Sequence, residues 1–212
     1  MCMAYLILIR HGKSECNLLG KWTGYTDIGL VQEGIEEARR AAEAIKDIPI
    51  DCAFISDLRR AKETFVEMCN VLKRSDIKTV EHPAIKERDY GAYTGKNKWE
   101  VKEKIGEKDF QKLRRGWDVP IPEGETLKDV YNRVVPYYES HIKRELLDGK
   151  NILVVAHGNS LRALVKHLEN IPDDEIAELE IGTGEVYIYK VDQKGNIVGK
   201  EIRAANPDKL KV

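Results

Sequence analysis

The sequence contains few cysteines and no excess of charge of either sign. Its four cysteines, Cys2, Cys16, Cys52 and Cys69, form neither a C-x-x-C pair nor a metal-ligand spacing. A disulfide framework and a zinc module are therefore not expected, and the thiols read as those of a reduced, cytoplasmic protein. No Asn-x-Ser/Thr acceptor occurs. The apolar N-terminal stretch from Met1 to Ile9 is too short for a signal peptide, and no run approaches the ~20 apolar residues that span a bilayer. Lys and Arg total 35 against 36 Asp and Glu, giving a net charge of −1. That balance argues against a general nucleic-acid or membrane-surface binder, whose basic footprint would show in the total. Walker, G-x-G-x-x-G, G-x-S-x-G and H-E-x-x-H motifs are all missing, which removes the commonest nucleotide, hydrolase and zinc-peptidase signatures. The five histidines, at 11, 82, 141, 157 and 167, show no ligand spacing, so no metal is expected. Repeats and low-complexity segments are absent too.

What is present is an ordinary globular composition, 33% charged and 42% hydrophobic over 212 residues. A chain of that length buries roughly 70% of its unfolded surface without a staple. It is read as one catalytic domain over residues 1–212. Tyr5–Ile9 and Asn151–Ala156 are continuous apolar runs, as expected of strands covered on both faces. Cys52–Ile55 reads as a further strand, 77–81 as a half-exposed one, and 185–191 and 196–202 as closing strands. Between them lie amphipathic helices. Ile35, Ala38, Ala42 and Ile45 mark one; Leu58, Ala61, Phe65, Met68 and Leu72 mark another, with Ser56 or Asp57 as its N-cap. A capping box at Thr126–Asp129 opens a long helix that Pro136 should kink. Residues 91–122 read as a polar, irregular excursion with one or two short helices that covers the site. The alternation predicts an α/β fold: three layers, α/β/α, around a mostly parallel central sheet.

Both continuous apolar strands end alike. One delivers Arg10-His11-Gly12 and the other His157-Gly158-Asn159. Ligands of open α/β sheets bind beyond the carboxyl ends of strands, and glycine after each histidine allows backbone N–H groups to approach an anion. Each histidine read alone could equally be a strand-terminal residue satisfied by backbone. Arg60, in the first turn of a helix where the macrodipole disfavours cations, suggests an anion bound at the same junction. Arg10, Arg60 and two histidines around one oxyanion point to phosphate. A neutral imidazole can take a phosphoryl group in transit, with cations stabilising the charge in flight and a carboxyl group supplying the proton. Glu87 is one candidate among 36 acidic residues.

The segment from Arg10 to Asn17 (RHGKSECN) resembles the signature of the histidine phosphatase superfamily. With Thr23-Gly24, Ser56–Ala61, Glu87–Gly91, Gly95–Lys98, Arg114-Arg115, Leu127–Asp129 and Ala156–Ala163, the chain resembles the cofactor-dependent phosphoglycerate mutases, in the family's order from residue 5 to about 185. The resemblance implies a phosphoglycerate mutase-like fold in which His11 becomes phosphohistidine, clamped by Arg10, Arg60 and His157, with Glu87 as proton donor and acceptor. It implies that Ser14, Asn17, Thr23, Gly24, Arg88, Tyr90, Lys98, Arg114, Arg115, Gly158 and Asn159 hold the substrate. Further, it implies 2,3-bisphosphoglycerate as the priming phosphoryl donor, interconversion of 3-phosphoglycerate and 2-phosphoglycerate, and a homo-oligomer, dimer or tetramer. A small-molecule phosphatase of the same superfamily is the alternative enzyme, and a catalytically silent binding module is a third reading. Lys13, Cys16 and Asp89 depart from the family pattern. So does the short stretch between Trp117 and Glu125, which in the family helps, with the C-terminal tail, to close the site. The neutral total then conceals segregation: Arg10, Arg60, Arg88, Lys98, Arg114 and Arg115 are expected in one pocket, balanced elsewhere by a helix bearing Glu33, Glu36, Glu37 and Glu43.

Overall fold

A computed structural model describes residues 3–207, so Cys2 and the end of the C-terminal tail lie outside the described residues. Six strands and eight α-helices are found there: β1 (Ala4–Arg10), α1 (Glu15–Leu18), α2 (Gln32–Glu43), β2 (Cys52–Ile55), α3 (Arg59–Leu72), β3 (Lys78–Glu81), α4 (Lys98–Ile105), α5 (Glu107–Arg115), α6 (Leu127–Tyr137), α7 (Lys143–Leu147), β4 (Ile152–Ala156), α8 (Gly158–Glu169), β5 (Val186–Val191) and β6 (Ile197–Arg203). The strands form one sheet in the order β3-β2-β4-β1-β5-β6. Pairing is parallel from β3 through β1 and antiparallel for β5 and β6.

Side chains of a strand alternate between faces, so each apolar run feeds two cores. Leu6 and Leu8 of β1 join Val154 and Phe54 beneath Val130, Val134, Leu161 and Leu164 of α6 and α8. Ile7 and Ile9 join Val155 and Ile55 beneath Ala41, Ala42, Ala61 and Met68 of α2 and α3. The result is the three-layer α/β/α arrangement expected from the alternation.

Several local expectations change. Neither Ser56 nor Asp57 caps α3; the N-cap is Leu58, without a side-chain cap. Asp27 supplies the acceptor instead, its Oδ1 taking the Arg59 N–H at 2.6 Å, while Ser56 turns toward His157. After Pro136 the chain adopts a π turn over residues 138–142, and Ser140 Oγ donates to the Pro136 carbonyl at 2.6 Å. A proline that removes one helical donor is thereby accommodated by a wider turn.

The segment 91–122 is more ordered than a polar, irregular loop. It forms α4 and α5, separated by Gly106 at φ +80°, and builds a small core from Val101, Phe110, Leu113 and Ile121 against Trp22 and Tyr90. Its apolar residues are too widely spaced to read as a core until Trp22 and Tyr90 are brought to them. Glu37 is also not a solvated counter-charge. It is buried, its Oε2 accepts from Lys13 N at 2.7 Å and its Oε1 from Thr183 Oγ1 at 2.8 Å, tying α2 to the loop after β1.

Candidate active site

β1 and β4 are neighbours in parallel register, with Arg10 opposite Ala156. The next residues on each are His11 and His157, whose ring centroids lie 4.9 Å apart. Both are buried, at 2% and 0% exposure.

Their hydrogen bonds assign their nitrogens. His11 Nδ1 lies 2.7 Å from the Gly12 carbonyl. A carbonyl only accepts, so Nδ1 carries the proton and Nε2 the lone pair. Arg60 Nε approaches that lone pair at 3.3 Å. Burial first, then the charges of Arg60 and Arg10, hold the His11 pKa well below its ordinary value. The ring is therefore neutral at pH 7, the state in which an imidazole is nucleophilic. His157 Nε2 lies 2.7 Å from Ser56 Oγ, and its buried Nδ1 has no partner among the described residues. Burial, then Arg60, lowers the His157 pKa well below the usual range as well.

Arg60 is held from behind. Its Nη1 donates to Thr26 O at 2.9 Å and its Nη2 to Gly24 O at 3.0 Å. Burial lowers its pKa to about 10, so it remains charged. Glu87 is placed by three donors that all reach Oε1: Arg88 N at 2.8 Å, Asn159 N at 3.1 Å and Asn159 Nδ2 at 3.0 Å.

Of the two glycines, Gly12 departs from the sequence reading and Gly158 does not. Gly12 directs its N–H to Thr64 Oγ1 at 3.0 Å rather than into the site, and a Cβ there would meet Gly34 O at 2.1 Å. It is small because the loop after β1 passes close against the backbone of α2 at Gly34. Gly158 opens α8 and lines the site beside Arg10.

These groups border a solvent-open cleft of about 600 Å³, counting the solvent at its mouth. Of the residues expected there, Arg10, His11, Asn17, Thr23, Arg60, Glu87, Tyr90, Lys98, Arg114, Arg115, Gly158 and Asn159 line it. His157 stands against His11. Ser14, Gly24 and Arg88 are not among the lining residues; each positions another. Ser14 caps α1 and exchanges hydrogen bonds with Asn17, and the Gly24 carbonyl anchors Arg60. Arg88 is fully buried, donates to the carbonyls of Leu113 and Arg114 at 3.1 and 3.0 Å, and lies over the Tyr90 ring. It secures the end of α5 instead of facing solvent. Cys16 does not line the cleft, nor does any residue from Gly116 to Glu125.

The cleft also contains Lys21, Trp22, Arg162 and Glu180, which sequence reasoning missed. Lys21 and Trp22 adjoin Thr23, and Arg162 falls one helical turn after Asn159, bonded to its Oδ1 at 3.0 Å. Those two signals could have found them. Glu180 had none, being a single acid in a loop. Its carboxylate lies 2.9 Å from Arg115 and 3.8 Å from both Arg10 and Arg114.

Among the described residues, seven cationic ones thus line the cleft (Arg10, Lys21, Arg60, Lys98, Arg114, Arg115, Arg162) against two carboxylates. Burial, reinforced by Arg114 and Arg10, pushes Lys98 down to about 7; burial, and then Arg88, pushes Arg162 down to about 10. Arg10 Nε and Arg115 Nε are buried without partners among the described residues. Surplus charge and unmet donors of this kind fit a small polyanion. Among the described residues, no three His, Cys, Asp or Glu side chains are arranged to hold a metal ion, and no helix is long and apolar enough to cross a membrane.

Comparison with known proteins agrees with this chemistry. Residues 6–201 match the family model of the histidine phosphatase superfamily (branch 1). The chain is 43% identical over 199 residues to a 2,3-bisphosphoglycerate-dependent phosphoglycerate mutase of Parvibaculum lavamentivorans, covering 93% of this chain and 95% of the relative. A protein of the same description from Chelativorans sp. is 44% identical, covering 93% and 97%. Among solved structures, a mycobacterial glucosyl-3-phosphoglycerate phosphatase superposes with a TM-score of 0.80 at 21% identity, covering 96% and 99% of the two chains. A phosphoglycerate mutase from Bacillus anthracis superposes with a TM-score of 0.75 at 24% identity, covering 95% and 93%. These structures share the fold.

Proposed function

The chain belongs to the histidine phosphatase superfamily and, within it, to the 2,3-bisphosphoglycerate-dependent phosphoglycerate mutases, and we propose that it interconverts 3-phosphoglycerate and 2-phosphoglycerate through phosphorylated His11. The observation that carries this reading is a neutral, buried His11 sharing one cleft with Lys98, Arg114 and Arg115. Transfer to water alone needs cations only around the phosphoryl group. A mutase must also retain a doubly phosphorylated intermediate while it turns over, so the second phosphate and the carboxylate need cations of their own.

In this reading His11 Nε2 attacks phosphorus. Its Nδ1–H, held on the Gly12 carbonyl, keeps the ring oriented as positive charge develops. Arg10, Arg60 and His157 stabilise the equatorial oxygens; the unpartnered Nδ1 of His157 suits such an oxygen. Glu87, set by Asn159 and the Arg88 amide, donates a proton to one glycerate oxygen and accepts it from the other. Asn17, Thr23, Tyr90 and Asn159 orient the glycerate. Ser14, Gly24 and Arg88 act from behind. Bisphosphoglycerate, when bound, supplies the phosphoryl group that charges His11, and the buried, unmatched donors of Arg10, Arg115 and His157 fit its negative charge. No step in this scheme calls on a metal. Four cysteines in a chain of this size, together with a glycolytic substrate, support a cytoplasmic enzyme, and family analogy supports a dimer or tetramer.

A coupled assay on 3-phosphoglycerate, with and without added 2,3-bisphosphoglycerate, tests the reading. Formation of 2-phosphoglycerate that depends on the bisphosphate is expected. Release of inorganic phosphate with no 2-phosphoglycerate would instead make the protein a phosphatase.

A further inference from the structure

Among the described residues, Glu180 is the one carboxylate lining the cleft to which the reaction above assigns no task, and its position is built rather than incidental. The backbone on either side of it is clamped. Arg162 Nε donates to the Leu179 carbonyl at 2.9 Å, and Arg10 Nη1 donates to the Ile181 carbonyl at 2.6 Å. The side chain is only 11% exposed and rests against Arg115, with Arg114 and Arg10 on either side. Glu87, the other lining carboxylate, is engaged at the histidine end by Asn159. Four of the cleft's cations therefore divide between two ends: Arg60 beside His11, and Arg114 and Arg115 around Glu180, with Arg10 between them.

We propose that Glu180 is a specificity-determining residue that acts as a resident counter-anion, occupying the guanidinium groups that the far end of a two-ended anionic ligand would take. A small oxyanion bound beside His11 leaves Glu180 in place. A ligand with a second anionic group must displace its carboxylate from Arg115, and the clamped backbone means that only the side chain yields. Glu180 thus weakens the hold on ligands in proportion to the charge at their far end, most for the bisphosphate and less for a monophosphate with a distal carboxylate. A mutase benefits, because products leave a cluster of this many cations slowly unless something competes for it. The inference rests on the phosphoglycerate reading only for the names of its natural ligands.

Glu180→Gln keeps the shape and removes the charge. Dissociation constants for four probes, compared with the parent protein, test the idea: inorganic phosphate, 3-phosphoglycerate, 2,3-bisphosphoglycerate, and propane-1,3-diphosphonate, a two-ended anion that cannot be turned over. The expected result is about tenfold tighter binding of the bisphosphate and the diphosphonate, a smaller gain for 3-phosphoglycerate, and less than about a twofold change for inorganic phosphate. A uniform shift across all four, or weaker binding of the two-ended ligands, overturns the proposal, because a merely structural role would move every probe together. The split for the diphosphonate, with no binding of either phosphoglycerate, would uphold Glu180 while refuting the substrate assignment. Should the variant fail to fold, the parent protein bound to the diphosphonate decides by crystallography: Glu180 still within 4 Å of Arg115 refutes displacement.

Discussion

Removing the charge of Lys98 should abolish a pH dependence of substrate binding that the cleft itself creates. Lys98 opens α4 and is 8% exposed, with Arg114 and Arg10 facing it as like charges and Glu180 and Glu87 as opposite ones. Burial is the largest influence, followed by the two arginines, and the ammonium pKa falls from 10.5 to about 7. That displacement corresponds to roughly 5 kcal/mol disfavouring the charged form in the unliganded fold. An anion arriving beside Lys98 restores the ammonium, so binding takes up a proton wherever the free lysine is neutral. When only the charged lysine binds, association of 3-phosphoglycerate with the unprimed protein falls about 50-fold from pH 7 to pH 9 by proton linkage. Calorimetry in buffers of different ionisation enthalpy should show uptake of about half a proton at pH 7, rising toward one above pH 8. The ligand phosphate completes its own titration lower, near a pKa of about 6, and the two buried histidines are neutral throughout. The same linkage sets the sign for stability. The unfolded chain holds the Lys98 proton up to its ordinary value and the folded chain loses it near 7, so the unliganded protein gains stability as pH rises between the two. Lys98→Met should bind 3-phosphoglycerate more weakly at pH 7 and without this slope. A flat profile in the parent protein, or an unchanged slope in Lys98→Met, would refute the reasoning.

Other consequences are as concrete. His11→Ala should lose mutase turnover entirely while keeping its circular dichroism, and incubation with 2,3-bisphosphoglycerate should leave no acid-labile phosphate on it. Gly12→Ala places a Cβ 2.1 Å from Gly34 O, backbone against backbone. A loss of about 3 kcal/mol is expected on denaturant unfolding, with a change under 1 kcal/mol counting against the close packing of the loop after β1 on α2. Ser56→Ala strips His157 Nε2 of its 2.7 Å partner. It should lower kcat about ten- to a hundredfold, the cost of one buried hydrogen bond left unmade, with little change in KM. The short stretch between Trp117 and Glu125 places no residue on the cleft, so hydrolysis of 2,3-bisphosphoglycerate should be measurable against mutase flux; negligible hydrolysis would show that the cleft excludes water without that cover.

Much of this was legible in the linear chain because it depends on local chemistry. The runs at 5–9 and 152–156 are apolar without alternation, and only strands covered on both faces suit such runs. The Thr126 capping box appears as read because its bonds span three residues. The cap of α3 was not legible, since its acceptor, Asp27, lies 32 residues away in sequence. Nor was the small core of 91–122, which exists only once Trp22 and Tyr90 reach Phe110 and Leu113. Arg88 reads as a ligand cation from its motif; its Nη2 bonds the carbonyls at the end of α5 and it does not line the cleft, which only the fold reveals.

The sequence by itself determined the parts: two histidines at strand ends, a carboxylate, a set of cations and the spacing that ties them to one family. Only the tertiary structure decided their arrangement. By placing β4 between β1 and β2 it set His11 beside His157, and by folding 91–122 onto Trp22 it delivered Lys98, Arg114 and Arg115 to the same cleft. It also put Glu180 among those cations. Hydrophobic periodicity acts over a few residues and is written along the chain. Charge interactions in a buried cleft act across it, between groups as far apart in sequence as Arg10 and Glu180, and take effect only when the fold brings them within a few ångströms.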